Sequence, residues 1–502
     1  MKRLVILGGG MAGTTVANKL RAAVTADQLH ITVVDLDDTH MYQPGFVFVP
    51  FGMLRPSDTY NSRHSFIDDG IELVLCEIDR VDPQARAVHL NDGRSLPYDH
   101  LIVATGVQPR PDQTPGLVEA LAAGGAQEFY SYDGSVRLAE ALRRWRGGHV
   151  VVHISEMPIK CPVAPLEFAF LFDSWLRDKK ARDRTRITYV TPLDGPFTKP
   201  VASRELSDAL VERDIAVETD FAVERVDPGA LVSYDGRAID FDMLVTVPVN
   251  MGADWVARSG MGDEANLVEC DQQTMKALHH DDVWVLGDAG TLKTSKAGSV
   301  AHFAIDVFVE NYLAELAGRE PEAAFDGHAN CFVESGGGKA MLLDFNYDTE
   351  PLTGTFPFPV VGPMSLLKET RLNHLGKLAF RWIYWNLLLR GRPIPMIPIA
   401  MSMLGKKLEG EAAANRPVRK AAPAPAVPRA TARTSAPAKP SRPLVSPAAK
   451  PSPVARAKPT ASASATASSP AVRTTYPPDT RKGTDSKADP ATVLDTPIIP
   501  KF

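Results

Sequence analysis

The chain lacks any run of 18 or more uninterrupted apolar residues, the length a spanning helix needs, and this argues against an integral helical membrane protein. It is poor in cysteine. Four residues in 502, Cys76, Cys161, Cys270 and Cys331, are too few and too scattered for a structural disulfide framework. Any pair that matters should be a redox pair. A strong charge of one sign is also missing: the formal net charge is -5, and the Lys/Arg excess is concentrated between Lys406 and Arg473, so the rest is acidic and no nucleic-acid partner is expected. Met1-Lys2-Arg3 passes directly into Leu4-Val5-Ile6-Leu7, a run too short and too close to glycine for a signal-peptide core, and the expected location is cytoplasmic. No metal site is assigned.

What is present is a strand, a glycine turn and a helix. Leu4 to Leu7 is an aliphatic run of the kind buried in a parallel sheet, and Gly8, Gly10, Met11, Ala12 and Gly13 lead from it into a helical stretch over Thr14 to Ala22. A second strand, His30 to Val34, ends at Asp35 about twenty residues after the glycines, which completes a βαβ dinucleotide unit. Two more strand-to-turn segments follow, Tyr98 to Val103 running into Ala104-Thr105-Gly106 and Asp281 to Leu286 running into Gly287-Asp288-Ala289. Between them the strands His149–Ile154, Arg186–Val190 and Asp242–Val247 suggest an inserted copy of the first unit. The turn after the first of these, Ser155 to Pro162, contains no glycine and carries Glu156, so a pyrophosphate has nowhere to approach the backbone and the donor should not be NAD(P)H. The expected fold is α/β with two Rossmann-like domains. The parts are a first dinucleotide segment over 1–112, a degenerate second domain over 113–261, a return to the first over 262–320, a C-terminal region over 321–410 and a disordered Ala/Pro/Ser/Thr/Lys/Arg-rich tail over 411–502.

At Lys160-Cys161-Pro162-Val163-Ala164-Pro165-Leu166-Glu167 the sequence resembles the sulfide:quinone oxidoreductases, a branch of the two-dinucleotide-domain flavoproteins with a Cys-Pro-x-Ala-Pro-x-Glu element at this place. The resemblance runs over residues 1 to 405 and includes Thr294 to His302 and Cys331. It implies FAD at Gly8, Gly10, Met11, Ala12, Gly13, Asp35, Thr105, Gly106, Gly287, Asp288, Lys296, Gly298 and Lys377, with Lys296 near the flavin N1–C2=O, where positive charge favours the anionic reduced ring. It also implies a bridge between Cys161 and Cys331 that sulfide opens, a thiolate exchange that leaves a persulfide and sends two electrons to the flavin. Cys76 and Cys270 read as structural. Two departures stand out. The segment Gly124 to Ser135 has no third cysteine, so the FAD is expected to be non-covalent, and Asp35 stands where many flavoproteins carry Glu.

From Leu366 to Leu404, Lys368, Arg371, Lys377, Arg381, Arg390 and Arg392 alternate with Leu, Phe, Trp, Tyr and Ile, the pattern of a helix lying in a membrane interface. The proline-broken patch Ile394 to Leu404 suits a shallow loop or second anchor, and the family's two C-terminal amphipathic helices imply peripheral attachment to the cytoplasmic face of the plasma membrane. The expected function is FAD-dependent sulfide oxidation with electrons passed to quinone, in a form compatible with a homo-oligomer. The alternatives are an NADH:quinone oxidoreductase of the non-pumping type, which the missing second glycine loop opposes; a flavocytochrome sulfide dehydrogenase, which would need export and a haem partner; and a flavin-binding redox sensor or scaffold.

Overall fold

The computed structural model describes residues 1–357, 362–394 and 397–407, all within one compact unit. The expected disordered tail lies outside the described residues. Strands β1 (Lys2–Leu7), β2 (Leu29–Asp35), β3 (Ile71–Leu75) and β4 (His100–Val103) form a parallel sheet, and helix α1 (Met11–Ala23) crosses from β1 to β2. Apolar runs with both faces covered become parallel strands because flanking helices shield them. Leu4, Ile6 and Leu7 are fully buried.

A second parallel sheet is built from β5 (Ala126–Gln127), β6 (Gly148–Ile154), β7 (Thr185–Val190), β8 (Ala216–Glu218) and β9 (Met243–Val247), in the order β5-β9-β6-β7-β8. Helix α2 (Ala164–Asp178) crosses from β6 to β7. The chain then returns to the first sheet as β10 (Val283–Val285), which pairs with β4 and gives the order β10-β4-β1-β2-β3. Helix α3 (Gly298–Leu316) packs on α1.

A third sheet follows, with β11 (Ala329–Gly336) antiparallel to β12 (Lys339–Phe345), and with β13 (Thr353–Phe356), β14 (Met364–Leu366) and β15 (Lys406–Lys407) beyond, in the order β11-β12-β14-β13-β15. Helix α2 lies against β11, and helix α4 (Arg371–Ile383) lies against β12. Thr370 caps α4 by accepting from the Asn373 N–H at 3.0 Å, and a π-helical turn, Tyr384–Leu388, extends it. The proline-broken patch is not helical, as its sequence leads one to expect. A single α-helix is present among the described residues there, and the second apolar patch is irregular over 397–405, because Pro393 and Pro398 offer no N–H to a helical ladder. Among the described residues no helix is long and apolar enough to cross a membrane.

Candidate active site

The glycine turn after β1 is shaped by close approach. A Cβ on Gly8, whose φ is +96°, would sit 2.5 Å from the Ala104 carbonyl oxygen, and one on Gly13 would sit 1.8 Å from the Gly8 oxygen. Only glycine lets β1, α1 and the β4 turn meet. At Gly10 and Gly106, by contrast, a Cβ would meet nothing within 4 Å, so both face open space. The later turn closes on the same place: a Gly287 Cβ would lie 3.3 Å from the Ala12 Cβ, and a Gly298 Cβ 3.4 Å from the Met11 methyl. Residues from four segments are thus brought together around the N-terminus of α1, which has no acidic residue in its first turn and no side-chain cap. Thr105 Oγ1 is buried there without a hydrogen-bond partner. An uncapped helix N-terminus, an open glycine cradle and an orphan hydroxyl suit an anionic dinucleotide such as FAD.

Asp35, at the end of β2, accepts from the Gly9 N–H at 2.6 Å and the Leu36 N–H at 2.7 Å, and Arg63 Nη1 lies 3.1 Å from its Oδ2. Burial pushes its carboxyl up, and Arg63 opposes that. Arg63 also donates to the Gly9 carbonyl, as does His40 Nδ1 at 3.2 Å, which leaves His40 Nε2 to accept from the Tyr384 hydroxyl at 2.8 Å. Burial, with Arg63 adding to it, lowers His40 to about 3, so it is neutral in this chain of contacts. Tyr384 therefore connects the C-terminal segment to the glycine loop. Asp288 lies in the Gly287–Ala289 turn, its carboxyl pushed up by burial. Lys296 Nζ donates to the carbonyls of Asp288 at 2.7 Å and Gly290 at 2.8 Å, so two of its three N–H groups shape that turn.

Cys161 precedes α2 at φ +50°, a left-handed conformation that costs a non-glycine residue about 1–2 kcal/mol. It is held there because its N–H donates to the Lys296 carbonyl at 2.6 Å and its own carbonyl accepts from the Ala164 N–H and the Tyr130 hydroxyl. Cys331 lies buried on β11, with the Ser299 hydroxyl beside it. All four cysteines are free thiols. Burial pushes both Cys161 and Cys331 up to about 12; Cys161 also feels Cys331, and both feel the same ion pair, Glu167 raising and Lys377 lowering each. Lys377 Nζ is 2.7 Å from Glu167 Oε1 and donates to the Phe332 carbonyl at 3.3 Å, with both side chains nearly inaccessible. Lys377, expected among the cofactor ligands, is thus turned toward the cysteine centre. Glu167 Oε1 also accepts from the Glu334 N–H at 2.9 Å, and the Glu334 carboxyl is hydrogen-bonded to His374 Nδ1.

The first turn of α2, where a nicotinamide dinucleotide would rest its pyrophosphate, is filled: Val163, Ala164, Leu166 and Glu167 are all buried. Reading residues in order missed Arg63, His40, Tyr384, Glu334 and His374. Glu167 stood in the Cys-Pro motif, and its spacing from Cys161 was the available signal; the others carry none, since their partners are remote in sequence. On the outside of α4, Leu372, Leu375, Leu378 and Trp382 are exposed, Trp382 by 61%, beside a hollow of about 390 Å³ lined by Ser57, Asp58, Arg381, Trp382 and Trp385. That hollow lies apart from the cysteines.

Residues 2–153 match the family model described as pyridine nucleotide-disulphide oxidoreductase. The mitochondrial sulfide:quinone oxidoreductase of Mus musculus is 25% identical over 397 residues, 77% of this chain and 86% of that protein. The enzyme of the same name from Dictyostelium discoideum is 27% identical, covering 78% and 86%. The sulfide:quinone oxidoreductase structure from Aquifex aeolicus superposes with a TM-score of 0.65 at 20% identity, over 78% of this chain and 92% of that one, a likeness of fold. With the glycine cradle and the Cys-Pro turn in place, the chain is similar to the sulfide:quinone oxidoreductases in sequence over 77–78% of its length and in fold.

Proposed function

We propose that this protein oxidises sulfide at Cys161 and Cys331 and passes the electrons by way of non-covalent FAD to a quinone in the membrane. The observation that carries the reading is that two cysteines from remote segments, one before α2 and one on β11, share the field of a single buried ion pair, Glu167–Lys377. Gly8, Gly10, Met11, Ala12, Gly13, Asp35, Thr105, Gly106, Gly287, Asp288 and Gly298 would hold the cofactor, with Lys296 shaping the Asp288 turn. FAD, when bound, supplies an acceptor for two electrons.

In the oxidised pair, hydrosulfide attacks one sulfur of the Cys161–Cys331 bridge. The bond between the cysteines breaks, a new S–S bond forms, and one cysteine becomes a persulfide while the other leaves as a thiolate. Lys377 stabilises that thiolate in a site where burial otherwise favours the thiol. The exposed apolar face of α4 would lie in the membrane interface at the cytoplasmic face of the plasma membrane, giving access to a lipid-soluble quinone. Nothing in this reading requires a second subunit, and a homo-oligomer is compatible with it.

Anaerobic addition of sulfide, without NADH, should bleach the flavin spectrum. Rapid bleaching by NADH or NADPH instead would favour the NADH:quinone alternative, which the filled first turn of α2 argues against.

A further inference from the structure

A buried cysteine centre that consumes sulfide has a proton to dispose of, an inference that rests on the function just proposed. Neutral hydrogen sulfide enters a desolvated site at lower cost than the hydrosulfide anion. The nucleophile is hydrosulfide, so each entering hydrogen sulfide molecule must lose one proton before the S–S bond between the cysteines breaks and the persulfide forms. Cys331 is buried and Cys161 half-buried, and the charged pair beside them, Glu167 and Lys377, is 1% and 10% exposed.

One set of groups lies between the Glu167–Lys377 pair and the surface. Glu334 is on β11, three residues beyond Cys331, with its side chain 1% exposed. Its N–H donates to Glu167 Oε1 at 2.9 Å, and its charge is felt by the Glu167 carboxyl. Its Oε1 is hydrogen-bonded to His374 Nδ1, while its Oε2 is buried with no hydrogen-bond partner. His374 is 17% exposed, so its ring reaches water where Glu334 does not. It lies one turn before Lys377 on the inward side of α4. The groups facing Glu334 are Glu167 from α2, Lys377 and His374 from α4, and uncharged Ala340 opposite it on β12. At the next residue Arg213 donates to the Ser335 carbonyl at 3.1 Å and is neutralised by Glu369. A buried carboxylate with an unpartnered oxygen is costly to keep, and here only the other oxygen is held, by His374.

We propose that Glu334 and His374 are a proton relay, taking the proton of each entering hydrogen sulfide molecule from the Glu167 side of the cysteine centre and releasing it to water. The proton passes to a Glu334 carboxylate oxygen and then to the imidazole, and the sulfur keeps its electron pair for attack on the disulfide. Both are positioning residues that act through the cysteine centre.

The test is stopped-flow bleaching of the flavin in the full-length holoprotein by sulfide, with no quinone present, over a range of pH, for wild type, Glu334→Gln and His374→Ala. Bleaching should slow roughly a hundredfold in both variants, the scale of a lost acid–base group, and the pH profile should change. Imidazole in the buffer should restore His374→Ala, and reoxidation by a short-chain quinone should stay at the wild-type rate. Unchanged bleaching in both variants overturns the relay. So does slowing confined to reoxidation, or slowing that leaves the pH profile intact and that imidazole does not repair. If Glu334→Gln fails to hold flavin, His374→Ala with and without imidazole decides alone. A wild type that sulfide does not bleach overturns the functional reading itself, whereas a wild type that bleaches beside unaltered variants overturns only the relay.

Discussion

Among the described residues, Lys377 is the cation that lowers both Cys161 and Cys331, against burial that holds each near about 12. Removing it in Lys377→Met should slow alkylation of both reduced thiols by iodoacetamide, and should cost about 3–5 kcal/mol because Glu167 is left charged and buried. Adding Glu167→Gln should recover most of that stability in a denaturant melt and part of the alkylation rate, because the Glu167 charge raises both thiols. The raised thiols also set a pH dependence. The native thiols keep protons that the unfolded chain releases from about 8.5, so the native state binds more protons between there and about 12, and stability must fall as pH rises through that window. Reduced wild type should lose more melting temperature across it than a Cys161→Ser, Cys331→Ser double variant. In turnover, Cys161→Ser or Cys331→Ser should lose several orders of magnitude with FAD content kept, while Cys76→Ser and Cys270→Ser stay nearly silent; full activity in Cys331→Ser would dissolve the pair. The cysteines and glycines were legible in order along the chain because their chemistry or steric need is local. Arg63 and His40 were not, since what makes them matter is the Gly9 carbonyl, approached from outside the βαβ unit.

At the scale of elements, buried strands announced themselves by aliphatic runs, and β1, β2, β6 and β7 lie where such runs are. Helix α4 was harder to read, because a lysine among leucines on an amphipathic helix can face lipid headgroups or a buried carboxylate. Lys377 does the second, and Leu372, Leu375 and Trp382 remain outside. Leu375→Glu with Trp382→Glu should therefore release the protein from vesicles while leaving reduction of a short-chain quinone intact. Retained flotation would shift the anchor elsewhere. The π turn makes a separate prediction. Tyr384→Phe leaves His40 Nε2 without its partner, at a cost of about 1–3 kcal/mol, and frees the imidazole that steadies the Gly9 carbonyl. FAD should dissociate measurably faster, read by the recovery of flavin fluorescence on dilution; an unchanged off-rate would separate the C-terminal segment from cofactor retention.

For the whole molecule, a truncation after Glu411 should leave sulfide-dependent quinone reduction intact, since no residue of the cysteine centre or glycine cradle lies beyond it. A deletion from Leu366 is a different matter, because it removes the partner of Glu167 together with the membrane face. The described structure also places the chain's late residues on its earliest ones: Thr15 Oγ1 donates to the Leu388 carbonyl at 3.1 Å, Asn18 donates to the Leu389 carbonyl at 2.6 Å, and a Cβ on Gly391 would sit 2.9 Å from the Lys19 backbone nitrogen. The first sheet is likewise completed only by β10. On the ribosome, then, the first βαβ unit emerges long before the segments that close it, and at about 5–20 residues per second it waits tens of seconds with the outer face of α1 uncovered. That interval makes the nascent N-terminal unit a natural client for a holding chaperone, until the tyrosine and leucines of the π turn arrive to cover it.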